Sequence, residues 1–108
     1  MTDTVKSELD RIVSALVNTG IVTKIILFGS YAKGEETSAS DIDLCVLTPV
    51  SDRHPLDLTI DLRVKLIKVR ERPLDLFAYN QDDFSADALR PGSFQYSIAK
   101  DGVVLYGQ

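Results

Sequence analysis

Two apolar runs, Ile21 to Phe28 and Ile42 to Leu47, bracket a polar stretch that opens on Gly29-Ser30 and closes on Asp41-Ile42-Asp43. No other part of the chain restricts the fold as strongly. The first run is rich in β-branched residues and reads as a buried strand. The second reads as another strand, stopped at Thr48-Pro49 because proline cannot donate to a sheet ladder. Glycine at the end of the first strand permits a sharp reversal that other residues avoid. A helix beginning there would offer free amides and a positive dipole end, a natural seat for phosphate. Tyr31 to Lys33 reads as its first turn. Asp41 and Asp43, at i and i+2 on the second strand, share one face of a sheet. Adjacent carboxylates raise each other's pKa, and an oxygen-seeking divalent cation is their natural counter-charge. Phosphate cradle and carboxylate pair together point to a metal–nucleotide site.

The rest of the chain alternates helix and strand. Val5, Leu9, Ile12, Val13, Leu16 and Val17 have helical spacing, predicting a helix over 4–18, capped by Asp3 or Thr4 and ended at Gly20. Residues 35–40 are polar and loop-like. From Leu56 to Leu66 the apolar residues alternate with polar ones, as in a half-buried strand. On a helical wheel the segment through Arg70 instead carries two stripes: Leu56, Ile60, Val64 and Ile67 on one side, Leu58, Leu62, Leu66 and Val69 on the other. Pattern alone does not separate these readings; a length of about fifteen residues favours helix. The unburied stripe is then an oligomer or partner surface. Pro73 to Tyr79 predicts a third strand, Gln81 to about Leu89 and Ser93 to Ala99 short helices, and Val103 to Tyr106 a terminal edge strand after Asp101-Gly102.

Composition narrows the class. A chain of 108 residues with 44% hydrophobic and 26% charged content predicts one soluble domain over 1–108. No apolar run approaches the ~20 residues of a membrane span, and MTDTVKSELD lacks the build of a signal peptide. The lone Cys45 cannot form an internal disulfide, so a cytoplasmic location is expected. A net charge of −4 argues against broad capture of nucleic acid, which needs a basic face.

Gly29-Ser30, ten intervening residues and Asp41-x-Asp43 resemble the signature of the DNA polymerase beta-type nucleotidyltransferase superfamily. The chain is especially similar to its small stand-alone branch, the minimal nucleotidyltransferases (MNT) that accompany HEPN-domain proteins. The resemblance implies an α/β (α+β) fold: a mixed sheet of about four strands with helices mainly on one face. It implies a helix between the second and third strands. It also implies a third carboxylate on the strand after Asp-x-Asp, and Asp75 matches that position. By itself, Asp75 in an apolar strand reads as an edge charge that discourages aggregation.

The implied activity is transfer of a nucleoside monophosphate, AMP from ATP, to an acceptor hydroxyl. Asp41, Asp43 and Asp75 would be catalytic and hold two Mg²⁺ ions, while Gly29 and Ser30 would bind the β/γ phosphates. The short chain leaves no room for an acceptor domain, so the acceptor is expected on a partner protein, such as a tyrosine of a HEPN toxin. The alternative is an antitoxin that neutralises its partner by binding without turnover. RNA-directed nucleotide addition is disfavoured by the acidic composition. Lys33 reads as an exposed helix lysine, Ser40 as a turn residue, Cys45 as a small buried hydrophobe. His54 is given no role. Arg63, Lys65, Lys68, Arg70 and Arg72 form a basic run that reads as the solvated part of the third helix, with docking to an acidic partner as the alternative.

Overall fold

Helical spacing of apolar residues produces the first element, α1 (Asp3–Val17), which buries Val5, Leu9, Ile12 and Leu16 along one stripe. In this computed structural model, which describes residues 1–107, its cap is Thr2 rather than Asp3 or Thr4. The Thr2 hydroxyl accepts from the amide of Val5 at 3.3 Å, leaving Asp3 to complement the helix dipole in the first turn.

The strands follow as β1 (Lys24–Phe28), β2 (Ile42–Thr48), β3 (Leu74–Asn80) and β4 (Val103–Tyr106). Between them lie α2 (Ser30–Lys33), α3 (Pro55–Leu66), α4 (Gln81–Ala88) and α5 (Phe94–Asp101). β1 is shorter than predicted. After Gly20, at φ 78°, Ile21–Thr23 form a connecting loop that joins the sheet through the Thr23 amide and the Leu47 carbonyl, 2.8 Å apart.

The sheet order is β3-β2-β1-β4. β1 is antiparallel to β2 and β4, whereas β2 and β3 run parallel, with α3 as the crossover. The sheet is therefore mixed. Its two faces bury different residues, as the period of a strand requires. Ile25, Leu27, Ile42, Leu44, Val46, Leu76 and Ala78 pack with α1 and α3 in the main core. Ile26, Cys45 and Leu47 meet Phe84 of α4 and Ile98 of α5 on the other side. Thus the long helices share one face, and the short α4 and α5 cover part of the opposite one.

The 56–66 segment is a helix. Leu58, Leu62 and Leu66 are buried, whereas Leu56, Ile60, Val64 and Ile67 are exposed. The alternating pattern arises because two stripes on opposite sides of one helix interleave. α3 ends at Leu66, before the predicted Arg70. There the amides of Val69 and Arg70 both turn back to the Leu66 carbonyl at 3.0 Å. The next two amides, Glu71 and Arg72, donate to the fully buried Glu8 at 2.7 and 2.9 Å, and the Arg72 guanidinium also pairs with Glu8. This carboxylate on α1 thereby ties the first helix to the lead-in of β3. At the other end of α3, His54 caps the helix, its Nδ1 accepting from the Leu56 amide at 3.1 Å. Its role is therefore structural. Among the described residues, no helix is long and apolar enough to cross a membrane.

Candidate active site

Three strands converge at the end of the sheet where the predicted site residues lie. Phe28 closes β1 opposite Asp43, and Asp43 stands beside Asp75 across the parallel β2–β3 pair. Asp41, exposed, immediately precedes β2. Register alone thus brings Asp43 and Asp75 together, although more than thirty residues separate them in sequence. Both other acids act electrostatically on Asp43. Burial raises the pKa of Asp43, and the charges of Asp75 and then Asp41 raise it further.

Gly29 is essential to this geometry in two ways. Its φ of 74° and ψ of −154° place it in a region essentially reserved for glycine. A Cβ added there would also stand 2.2 Å from Oδ2 of Asp43. The carboxylate occupies the space that a side chain would take. Beyond this turn, α2 begins at Ser30 without any side-chain cap, leaving its first-turn amides available to a ligand. The amides of Lys33 and Glu35 close the turn onto the carbonyls of Gly29 and Ser30, at 3.2 and 3.0 Å. Lys33 is exposed, as expected. Ser40 is a turn residue, its hydroxyl accepting from the Thr37 amide at 2.8 Å.

The donor set fits a hard divalent cation. Asp41 and Asp43 supply carboxylate oxygen, and among the described residues neither has a cationic partner within 4.0 Å. A cation would remove the repulsion that raises Asp43. Asp75 differs, having Arg63 Nη2 3.9 Å from its Oδ1, with both side chains about half exposed. Among the described residues, no three His, Cys, Asp or Glu side chains form a metal-holding cluster. The three-acid metal set expected of Asp41, Asp43 and Asp75 is therefore not assembled as a cluster. Asp41 and Asp43 are the oxygen donors a hard cation such as Mg²⁺ would take, since it commonly uses one or two carboxylates and completes its shell with water and substrate phosphate.

An aromatic wall with no local signature in the sequence stands beside the acids. Phe28, Phe77 and Phe94 contact one another, with ring centroids 5.4 to 6.0 Å apart. Phe94, on α5, is substantially exposed. Alternation along β3 puts Phe77 on the Asp75 face, but nothing local in the sequence brings Phe94 to that face. Cys45 lies deeper on the same face. Burial pushes its thiol up to about 12, so it behaves as a small hydrophobe and not as a ligand.

Carboxylates at the strand ends of a mixed sheet, beside a glycine turn with free amides, suit the handling of a metal-bound phosphate chain. The chain belongs to the nucleotidyltransferase domain family, whose model matches residues 6–105. It is a nucleotidyltransferase enzyme of the minimal, MNT type. A relative from Methanocaldococcus jannaschii, named a candidate protein adenylyltransferase, is 34% identical over 87 residues, 81% of each chain. Among solved structures, the toxin–antitoxin complex MntA-HpeT in a tyrosine-to-alanine mutant form aligns with a TM-score of 0.61 at 27% identity. That match covers 92% of this chain and 72% of the other. A toxin–antitoxin complex with AMP-PNP aligns with a TM-score of 0.56 at 25% identity, over 92% of this chain and 73% of the other. A nucleotidyltransferase-like protein from Sulfolobus solfataricus shares the fold at 13% identity and a TM-score of 0.60, over 100% of this chain and 90% of the other.

Proposed function

We propose that this enzyme transfers AMP from ATP, with Mg²⁺, to a hydroxyl of a partner protein in the cytoplasm, and that the partner is a HEPN-type toxin held inactive by the modification. The observation that carries this reading is the meeting of Gly29, Asp43 and Asp75 at one sheet end, with Asp41 alongside. The adenylyltransferase name of one relative and the toxin–antitoxin setting of others support the choice of acceptor.

In this reading the Gly29 turn and the amides and hydroxyl of Ser30 hold the β and γ phosphates. Asp41 and Asp43 would hold the metal, whose bound charge offsets that of the triphosphate and of the departing pyrophosphate. Asp75, the register partner of Asp43, would orient the acceptor hydroxyl and take its proton. The faces of Phe28, Phe77 and Phe94 give the base or the acceptor side chain an apolar wall to lie against.

The test is incubation with ATP labelled at the α phosphate, Mg²⁺ and the product of the adjacent gene. Label should pass to that protein and vanish with Asp41→Ala or Asp43→Ala. The alternative, an antitoxin acting by complex formation alone, is favoured by the exposed apolar stripe on α3. Tight binding with no label transfer would establish it and sink the catalytic proposal.

A further inference from the structure

Leu56, Ile60, Val64 and Ile67 form an apolar stripe on α3, exposed by 60, 50, 59 and 61%. The packing that buries Leu58, Leu62 and Leu66 points this opposite side away from the core. Part of the stripe becomes one wall of a groove of about 230 Å³, lined by Ile60, Arg63, Val64, Ile67, Arg70 and Leu74. The groove adjoins the catalytic end of β3: Leu74 precedes Asp75, and Arg63 lies 3.9 Å from the Asp75 carboxylate.

We propose that this groove docks the acceptor protein through an amphipathic helix whose apolar residues cover the stripe and whose acidic flank faces Arg63 and Arg70. The inference rests on the protein-modifying reading above. Its support is charge and area. The active-site flank of the stripe carries Arg70 and Arg63, the latter beside Asp75, whereas the far flank is mixed, with Lys65, Lys68, Asp57 and Asp61, the last paired with Arg53. Burying one aliphatic side chain removes on the order of 100 Å², so this half-exposed stripe offers on the order of 200–300 Å². That area suits one docked helix and falls short of the about 800 Å² per partner of a standard stable interface of either kind. A second copy packed antiparallel is also the wrong charge. Two copies of α3 related by a two-fold axis across the helices would set the Arg63–Arg70 flank against itself, and like charges in an interface repel. A helix with acidic residues there meets attraction instead, in the manner of helix-in-groove recognition. Because Arg63 borders both groove and site, the docked segment lies beside Asp75, where an acceptor hydroxyl is needed.

The probe is a stapled, fluorescein-labelled helical peptide of about twenty residues, long enough for a stable helix once stapled. It carries leucines at i, i+4, i+7 and i+11 and glutamates on both flanks; its control has lysines at the flanks. Anisotropy without nucleotide should show the glutamate peptide binding at least tenfold more tightly than the lysine peptide. Arg63→Glu combined with Arg70→Glu should reverse the order. Val64→Asp should weaken the glutamate peptide at least tenfold, and Ile67→Ser provides a milder variant should Val64→Asp unfold. Equal affinity for the two peptides, no binding of either, or binding indifferent to Val64→Asp and Ile67→Ser overturns the proposal. So does a dimer in sedimentation that Val64→Asp dissociates, since a second copy would then be the occupant. Adding labelled ATP, Mg²⁺ and a tyrosine-bearing glutamate peptide separates the two readings. A peptide that docks without taking label refutes transfer and leaves docking standing. Label passing equally from wild type and Val64→Asp refutes docking and leaves transfer standing.

Discussion

Replacing Gly29 with alanine should damage stability and activity through two separable contacts. The first is the backbone: at φ 74° and ψ −154° an alanine is strained, costing about 1–3 kcal/mol. For a domain of this size, each kcal/mol lowers Tm by roughly 4–8 °C, so thermal unfolding should shift by roughly 4–24 °C. The second is the clash of the new Cβ with Oδ2 of Asp43, 2.2 Å away. That oxygen ends a rotatable side chain, so the carboxylate can swing aside, and relief of the clash adds little to the stability loss. The consequence falls on catalysis, where a misplacement of about 1 Å can cost about 10²-fold in rate. Calorimetry and label-transfer assays on Gly29→Ala, Asp43→Ala and the double variant read the two effects apart. The stability changes, whatever their signs, should be nearly additive, because strain at residue 29 persists without its neighbour. The activity losses should not be additive, because both act through one carboxylate. An unchanged Tm and unchanged transfer in Gly29→Ala would refute the reasoning.

Other outcomes follow from the charges. Asp43→Asn should raise the Tm of the metal-free protein at pH 7 while abolishing transfer. The folded pKa of Asp43 is raised, so its ionised form opposes folding once pH exceeds the normal carboxylate range. Differential scanning fluorimetry against pH checks the sign: the gap between variant and wild type should close as pH falls and Asp43 takes up its proton. Glu8 behaves oppositely. Burial pushes its pKa up, but the amides of Arg72 and Glu71 and the Arg72 guanidinium outweigh this and leave it lowered. Its stabilisation should be present above the usual carboxylate range and disappear as pH falls through the folded value. Glu8→Gln should flatten that acid limb, and Glu8→Ala should cost about 2–4 kcal/mol by chemical denaturation, since it strands two amides and an arginine. Asp75→Asn should lower transfer at least 10²-fold while leaving the affinity for a non-hydrolysable ATP analogue within about threefold, as measured by calorimetric titration.

Outside 56–66, the order of helices and strands was readable from residue types because each element carries its own period, and α1, β2 and α4 lie within a residue or two of their expected places. Element ends were less legible where a distant partner decides them. The lead-in to β3 depends on Glu8, some sixty residues away, whose carboxylate accepts from the amides of Glu71 and Arg72. The two-sided pattern of 56–66 could not choose between strand and helix, since alternation and paired helical stripes coincide over so short a span.

Gly29-Ser30 and Asp41-x-Asp43 were determined by the sequence itself, because a turn, a strand start and side-chain alternation are local consequences of residue type. What only the tertiary structure decided is what surrounds them. Parallel pairing sets Asp75 against Asp43, and the Asp43 carboxylate fills the space that Gly29 leaves. The same folding brings Phe94 to Phe28 and Phe77, and lays Arg63 between an exposed apolar groove and the acids. These are contacts between segments far apart in the chain, and their register is set by packing of the whole sheet against its helices, which no local pattern encodes.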